Sequence, residues 1–132
     1  MTKVVEVAVG VILRDEEVFL TRRASDAHQG GKWEFPGGKR EAHESMTEAL
    51  SRELQEEVGI EVLSASPLIQ INHDYGDKTV LLDVYTVSEF ANEPESKEDL
   101  EYRWVAINHL PEVDFPAANG VIVDKLLSQF DS

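Results

Sequence analysis

Three glutamates lie close together near the end of one predicted helix. Glu53, Glu56 and Glu57 stand at positions i, i+3 and i+4, so they fall within an arc of about 100 degrees on one side of a helix. They come just before Gly59, a residue type that often ends helices, and so face the negative end of the helix dipole, where anions are disfavoured. Because hard carboxylate oxygens select Mg²⁺, Mn²⁺ or Ca²⁺, this pattern predicts a divalent-metal site.

An acidic helix face exposed to solvent is the alternative interpretation. The sequence argues against it, because Gly37 and Gly38 precede the helix, the acids stand at its C-terminal end, and Arg52 is embedded among them. The acids also overlap the edge of the apolar stripe, so we expect them to be partly buried and close together. The stripe consists of Met46, Ala49, Leu50, Leu54 and Val58.

The elements that must hold these acids can be read from the apolar pattern. Strands are predicted at Val5 to Leu13, Val18 to Thr21, Trp33 to Phe35, Leu68 to His73, Thr79 to Val87 and Tyr102 to Ile107, and helices at Glu44 to Val58 and Ala117 to Phe130. The first strand is apolar on both faces, as is typical of a central strand. Mixed strands with two helices predict an α/β fold, an α/β/α sandwich with a mixed β-sheet between helices.

Four connecting segments are also predicted. Asp15 to Glu17 reads as a hairpin turn, Ala24 to Lys32 as a mobile loop, and Glu89 to Glu101 as an acidic surface loop. Pro36-Gly37-Gly38 predicts a tight turn whose backbone can approach a ligand closely.

The acidic composition limits the classes of binding partner. The 132 residues carry 26 acidic and 12 basic side chains, a net charge of −14, without a basic tract or arm. Nucleic-acid polymers and anionic membranes are therefore poor partners. A small polyphosphate nucleotide remains feasible, because a bound divalent metal reverses the local field.

The remaining expectations concern the chain as a whole. Its length suits one domain over residues 1–132. There are no cysteines, which excludes disulfides and thiolate chemistry, and the apolar run Val7 to Leu13 is too short to span a bilayer. We expect a cytoplasmic monomer. The four histidines, His28, His43, His73 and His109, show no paired ligand spacing and are assigned no role.

The spacing around the acids resembles the complete Nudix box, the signature of the Nudix hydrolase superfamily. The box has nine matching positions across the 23 residues 38–60: Gly38, Glu44, Arg52, Glu53, Leu54, Glu56, Glu57, Gly59 and Ile60. A chance match is far less probable than for a loose glycine motif. The resemblance implies the same α/β/α sandwich that the apolar pattern predicts.

Further segments resemble the 8-oxo-dGTP diphosphatase branch of that superfamily. They are Ala8-Val9-Gly10, Thr21-Arg22-Arg23, Glu34 to Lys39, and Phe115-Pro116-Ala117-Ala118-Asn119. This resemblance implies conversion of 8-oxo-dGTP to 8-oxo-dGMP and pyrophosphate, with water attacking the β-phosphorus. Such a reaction keeps damaged nucleotides out of DNA during replication.

The same resemblance implies a metal site. It assigns Mg²⁺, with Mn²⁺ as a substitute, to the Gly37 carbonyl and to four carboxylates, those of Glu53, Glu56, Glu57 and Glu98. The loop around Glu98 departs from the family's glycine-richer version, so Asp99 or Glu101 is an alternative to Glu98.

The catalytic assignments follow from these positions. Glu53 is our candidate for the general base, with Glu56 and Glu98 as alternatives, because sequence does not show which acid faces water. Arg52 either holds the acids in orientation or forms a plain salt bridge.

Asn119 is the candidate for reading the base. Oxidation of guanine at C8 places a hydrogen on N7 and leaves O6 accepting, whereas in guanine both atoms accept. An asparagine amide offers one acceptor and donors, so it pairs with the oxidised edge only. The alternative is a helix cap or turn residue before Gly120.

Arg23 and Phe35 are further candidates for substrate contact through the same resemblance. The alternative for Phe35 is core packing, and the alternative for Arg23 is a surface charge.

Three functions are thus distinguished. The first is 8-oxo-dGTP hydrolysis. The second is pyrophosphohydrolysis of a pyrimidine nucleoside triphosphate such as CTP, because Trp33-Glu34-Phe35 before a Gly-Gly pair also resembles those Nudix enzymes. The third is a non-catalytic nucleotide-sensing module, which has no need to retain every acid.

Overall fold

A computed structural model of the protein describes residues 3–24 and 30–130. The elements follow in the order β1 Lys3–Arg14, β2 Glu17–Arg22, β3 Trp33–Glu34, β4 Gly37–Lys39, α1 Met46–Val58, β5 Glu61–Asp74, β6 Lys78–Ala91, β7 Tyr102–Ala106, two 3₁₀ helices at Ile107–Glu112 and Ala117–Asn119, and α2 Gly120–Phe130. No helix in the described ranges is long and apolar enough to cross a membrane.

Strand β1 is the centre of a mixed sheet. It pairs in parallel with β6 and antiparallel with β2 and β4, while β5 pairs antiparallel with β6. β7 and β3 pair antiparallel with β2. The prediction of a mixed sheet with a central first strand is confirmed.

Two apolar cores cover the two faces of this sheet. Ala8 and Ile12 of β1 pack in one core with Leu50 and Leu54 of α1. The alternate β1 residues Val9 and Val11 pack in the other core, which contains Ile122 and Leu126 of α2. Because successive strand residues point to opposite faces, a strand apolar on both faces requires a helix on each side. The predicted α/β/α sandwich is confirmed.

Helix α1 has defined signals at both ends. The Ser45 hydroxyl accepts the Glu48 N–H while the Glu48 carboxylate accepts the Ser45 N–H, a capping box. Gly59 ends the helix in the left-handed region at φ 76°. The helix therefore begins at Met46, two residues after the predicted start at Glu44, because Ser45 is its cap.

The predicted tight turn at Pro36-Gly37-Gly38 is wrong. Gly37 and Gly38 lie in β4, paired with Val9 and Ala8 of β1, and neither is among the glycines with positive φ. They are needed for close contact instead. A Cβ at Gly37 would overlap the Ala8 carbonyl oxygen, and a Cβ at Gly38 would overlap the Glu53 carboxylate.

Several boundaries also differ from expectation. β5 begins at Glu61 and not at Leu68, β6 continues to Ala91 into the predicted acidic loop, and the C-terminal helix opens with the 3₁₀ turn Ala117–Asn119. The predicted hairpin turn narrows to Asp15 and Glu16, both at positive φ. Residues 25–29 of the predicted mobile loop, including His28, lie outside the described residues.

Candidate active site

Arg52 is the hub of the acidic cluster. Its Nε and Nη2 donate to the two Glu44 carboxylate oxygens at 2.6 and 3.0 Å. Its Nη1 donates to Glu53 at 2.8 Å and to Glu56 at 3.3 Å, and Nη2 also donates to the Lys39 carbonyl at 3.1 Å. One guanidinium therefore fixes three glutamates and the end of β4, which is more than a plain salt bridge.

Glu44 is held as a permanent anion. The Arg52 hydrogen bonds, with the Glu41 N–H at 2.9 Å, lower the pKa of Glu44 to about 2. Its side chain is only 7% exposed, so both oxygens are engaged by protein. Glu44 thus orients Arg52, and it does not act as an acid or base near neutral pH.

Glu57 has the opposite environment. Burial raises its pKa to about 8, against the effect of the Gly37 N–H, which donates to its carboxylate at 3.1 Å. The neighbouring charges of Glu53 and Glu98 raise the pKa further. A carboxylate that is poorly solvated and surrounded by anions is relieved by a bound cation.

The expectation that all three helix acids are partly buried is only partly right. Glu53 is 15% exposed and packs against Gly38, whereas Glu56 is 60% exposed. Glu56 lies on the exposed side of α1, where, among the described residues, Arg52 is its hydrogen-bond partner. Glu53 and Glu57 therefore form the buried part of the cluster, and Glu56 forms its solvent edge.

The Glu98 loop, residues 92–101, is docked on the C-terminal end of α1. The Glu95 N–H donates to the Val58 carbonyl at 3.0 Å, and the Lys97 N–H donates to the Glu57 carbonyl at 2.8 Å. These carbonyls would otherwise lack partners at the helix end. The sequence contains no local signal for this docking.

Both ends of the Glu98 loop are also anchored. Arg14 donates to both oxygens of Glu93 at 2.7 and 2.8 Å, while Arg22 pairs with Glu101 at 3.1 Å. Glu101 is thereby committed to a structural ion pair, whereas the charge of Glu98 is felt by Glu57. Of the three acids that the sequence left open, these contacts favour Glu98 over Glu101 for the cluster, and they assign nothing to Asp99.

The chemistry of these donors fits a hard divalent cation. Glu53, Glu57 and Glu98 are carboxylates near one another. Burial raises the pKa of Glu57, and the charges of Glu53 and Glu98 raise it further. Within residues 3–24 and 30–130, only Glu41, His43 and Glu44 already bring three ligand atoms within 4.8 Å. That group is a poorer candidate, because Glu41 and His43 are exposed and Arg52 occupies Glu44.

A cavity of about 410 Å³ adjoins the acids. Val7, Val9 and Leu82 form its floor on the sheet, and Gly37 connects it to the acidic cluster by lining the cavity while donating to Glu57. An apolar pocket of this size, with a few polar groups, suits a nucleotide base.

The three predicted substrate contacts all line this cavity. Phe35 is 5% exposed and stacks on Phe115 with ring centroids 5.1 Å apart, so it also packs in the core. Arg23 is half-buried and donates to Glu34 at 2.6 Å. Asn119 is half-buried, and its side-chain amide has no hydrogen-bond partner within the described ranges, so it makes no helix cap there.

Sequence reasoning missed three residues of the cavity. His73 and Tyr75 line it with rings 4.4 Å apart, and Glu34 contributes a carboxyl whose pKa is raised by burial despite Arg23. His73 pairs with Val80 in the β5–β6 hairpin. Only that pairing register brings it to the cavity, so no local pattern could have identified it.

Comparison with known proteins agrees with this arrangement. The sequence matches the NUDIX domain family over residues 8–125. The chain belongs to the Nudix family. Nudix hydrolases generally use a divalent metal and act on small nucleotide substrates, in accord with the acids and the cavity beside them.

Individual Nudix relatives are similar over most of the chain. An 8-oxo-dGTP diphosphatase of Escherichia coli (strain K12) is 40% identical over 125 residues, covering 94% of this chain and 97% of that protein. A CTP pyrophosphohydrolase of the same organism is 33% identical over 102 residues, covering 77% of this chain and 76% of that protein.

A solved Nudix structure gives the same result for the fold. It comes from a study of MutT from Aliivibrio salmonicida and Vibrio cholerae and superposes with a TM-score of 0.89. Sequence identity is 35%, and the match covers 97% of this chain and 100% of that chain.

Proposed function

We propose that this Nudix hydrolase converts 8-oxo-dGTP to 8-oxo-dGMP and pyrophosphate. One observation carries the proposal: Gly37 both lines the cavity that contains Asn119 and donates its N–H to Glu57. A base in the cavity would therefore direct its phosphates toward the acidic cluster. The similarity to an 8-oxo-dGTP diphosphatase over 94% of the chain supports this substrate.

The base would be recognised by Asn119. Its amide oxygen would accept the N7–H of the oxidised base, and its amide N–H would donate to O6. With normal guanine the amide oxygen would meet the N7 lone pair. A site built for such a hydrogen bond can reject an analogue lacking it by about 10⁴-fold or more.

The metal ligands in this proposal are the Gly37 carbonyl and the carboxylates of Glu53, Glu56, Glu57 and Glu98. We propose Mg²⁺ as the natural ion, with Mn²⁺ as a substitute. When bound, the metal would neutralise phosphate oxygens and lower the pKa of the attacking water.

The remaining steps belong to protein side chains. Arg52 holds one Glu53 oxygen at 2.8 Å, and Gly38 leaves room for the other part of that carboxylate. Glu53 would remove the proton of the attacking water from this fixed position, with Glu56 and Glu98 as the alternative bases. Glu44 would keep Arg52 in place throughout.

Two other functions have less support. The Nudix relative named for CTP is the less similar one and covers less of the chain. A non-catalytic sensing module would not need Arg52 to orient Glu53 and Glu56 in addition to its ion pair with Glu44.

Hydrolysis of 8-oxo-dGTP, dGTP, CTP and ADP-ribose, followed by product separation, tests the proposal. We expect 8-oxo-dGTP to lead in kcat/KM by orders of magnitude and to yield monophosphate plus pyrophosphate. Glu53→Gln should remove activity, which also excludes a contaminating phosphatase, and Glu112→Gln, an exposed acid on a 3₁₀ helix, is the matched control. A preference for CTP or ADP-ribose would overturn the substrate assignment and the role of Asn119.

We further propose that residues 1–132 form one domain acting as a cytoplasmic monomer, without a nucleic-acid polymer or a membrane as partner. The charge of −14 supports the absence of such polyanionic partners. Light scattering coupled to gel filtration tests the oligomeric state, and a dimer mass would refute that part.

A further inference from the structure

We propose that Ser96 is a positioning residue that holds Glu98 in place beside Glu57. The inference rests on the proposed function, because it takes Glu98 as a ligand of the metal. Ser96 would shape the Glu98 loop, residues 92–101, so that the Glu98 carboxylate lies in the cluster.

The Ser96 hydroxyl oxygen accepts two backbone hydrogen bonds inside the loop. The Glu98 N–H donates to it at 3.3 Å and the Leu100 N–H at 3.0 Å. Ser96 is half-buried, so these bonds are partly protected from competing water. A hydroxyl has two acceptor lone pairs, and both amides can use the same oxygen without displacing each other.

The two bonds enclose a left-handed position. Asp99 lies between Glu98 and Leu100 and adopts φ 57°, a conformation that is uncommon outside glycine and that aspartate adopts more readily than most residues. The Ser96 hydroxyl binds the amide on each side of Asp99 and so stabilises this local conformation. Without the hydroxyl, the segment from Glu98 to Leu100 loses two hydrogen bonds that hold this conformation.

The residue after Ser96 is already fixed to helix α1. The Lys97 N–H donates to the Glu57 carbonyl at 2.8 Å, and the Lys97 side chain covers Gly59, where a Cβ would lie 2.6 Å from Cε. The loop is therefore anchored one residue before Glu98. Ser96 then controls the direction in which the chain leaves that anchor, and thus where the Glu98 carboxylate lies.

The distal end of the loop explains why Glu101 does not substitute for Glu98. Glu101 pairs with Arg22 at 3.1 Å, and the Arg22 N–H donates to the Glu101 carbonyl at 2.8 Å. Glu98 is thus free of the ion pairs that hold the loop ends. The Ser96 hydroxyl is the contact that connects this acid to the docked part of the loop.

Titration of the full chain with Mn²⁺, without nucleotide, tests the inference by calorimetry. We expect Ser96→Ala to weaken Mn²⁺ binding about three- to tenfold, as one or two net hydrogen bonds would. Ser96→Thr retains the hydroxyl and should bind within about twofold of the unmutated protein. Equal binding by Ser96→Ala and the unmutated protein would overturn the proposal.

A double-mutant cycle with Glu98→Gln shows whether Ser96 acts through Glu98. Glu98→Gln alone should weaken Mn²⁺ binding, and adding Ser96→Ala should then change nothing further. If the effect of Ser96→Ala persists in full in the Glu98→Gln background, or if Glu98→Gln leaves binding unchanged, the proposal fails.

Amide hydrogen exchange of the metal-free protein is the independent readout. The amides of Glu98 and Leu100 should lose protection in Ser96→Ala and regain it in Ser96→Thr, whereas unchanged protection would refute the proposed contacts. These measurements do not involve turnover. If Ser96→Ala weakens Mn²⁺ binding through Glu98 but 8-oxo-dGTP is not the preferred substrate, the proposed substrate fails and the role of Ser96 stands. If 8-oxo-dGTP is preferred but Ser96→Ala binds Mn²⁺ normally, the role of Ser96 fails and the proposed substrate stands.

Discussion

Glu44 and Glu57 are two glutamates of the same motif with opposite electrostatic environments. Glu44 precedes α1 and has a pKa of about 2, whereas Glu57, near the end of α1, has a pKa of about 8. The first value is caused by hydrogen bonds from Arg52, and the second by burial next to other acids. Glutamate is thus a fixed anion at position 44, whereas at position 57 its negative charge is favoured only when a cation binds beside it.

The difference distinguishes the residues that orient the site from those that would bind the metal. Arg52 is the cation supplied by the chain, and it neutralises Glu44 and contacts Glu53 and Glu56. Among the residues that the structure describes, no lysine or arginine forms an ion pair with Glu57. The protein therefore neutralises Glu44, which orients the site, and leaves Glu57, one of the proposed metal ligands, without a cationic partner among the described residues.

The largest expected effect on activity comes from replacing Glu57, the acid without a cationic partner in the described ranges. Glu57→Gln should lower kcat for metal-dependent hydrolysis by about 10²-fold or more, because an amide is a much weaker ligand than a carboxylate. Steady-state kinetics across a Mg²⁺ series would measure this, with Glu112→Gln as control. Full activity in Glu57→Gln would break the proposed distinction between the two glutamates.

The backbone beside each acid gives the next test. Gly37→Ala places a methyl group on the Ala8 carbonyl in the β4–β1 pair, where backbone cannot yield, and should reduce the free energy of unfolding by about 3 kcal/mol. Gly38→Ala meets the flexible end of Glu53 instead. It should keep most of the stability and lose turnover, as measured by urea unfolding and kinetics.

An equal stability loss in both alanine variants would contradict this reading of the two glycines. It would mean that Gly38, like Gly37, is required by the strand and not by the Glu53 carboxylate.

The raised pKa of Glu57 predicts a stability that depends on pH in the absence of metal. The folded state holds the Glu57 proton more tightly than the unfolded state, so stability falls as pH rises from about 4.5 to about 8. Glu57→Gln lacks this loss and should be more stable than the unmutated protein above pH 8, by about 1–3 kcal/mol with solvent screening allowed for.

Thermal unfolding in EDTA at pH 5 and pH 8.5 checks this sign. Excess Mg²⁺ should restore the thermal stability of the unmutated protein at pH 8.5 and should leave the stability of Glu57→Gln largely unchanged. If the two proteins lose stability in parallel as pH rises, Glu57 is not the group responsible.

The smallest effect is expected from Glu44, on the stability of the fold at low pH. Its lowered pKa means that its ion pair with Arg52 stabilises the fold above about pH 4.5 and is lost as pH falls toward about 2. Glu44→Gln should be slightly less stable at pH 7 and should show a flatter stability profile between pH 4.5 and 2. Circular dichroism during acid titration would measure it, and an unchanged profile would show that other carboxylates dominate.

Much of the framework was predictable because its signals are local. The spacing of the acids placed α1 to within two residues, and the two-sided apolar pattern of β1 indicated a strand between two helices. The turn predicted at Pro36-Gly37-Gly38 was wrong, because glycine serves both tight turns and close backbone packing. Only the partner strand and the Glu53 side chain distinguish those uses.

The candidate site was predictable as a set of residues and not as an arrangement. Sequence placed Glu53, Glu56 and Glu57 on one side of a helix, but it did not show that Glu56 is exposed while the other two are enclosed. The sequence assigned no role to His73 and gave no signal for Tyr75, because the β5–β6 hairpin brings both residues to the cavity.

By itself the sequence determined the type and order of most elements and the acid-rich helix, because hydrophobic period, caps and residue type act over a few neighbouring positions. Tertiary structure alone decided which acid is neutralised by Arg52, which acid has no cation beside it in the part of the chain that the structure describes, and which loop acid adds to the raised pKa of Glu57. Those outcomes depend on Arg52 reaching Glu44, on Gly37 reaching Glu57, and on the Glu98 loop docking against α1. Burial and charge at a site are properties of residues that meet only after the chain has folded.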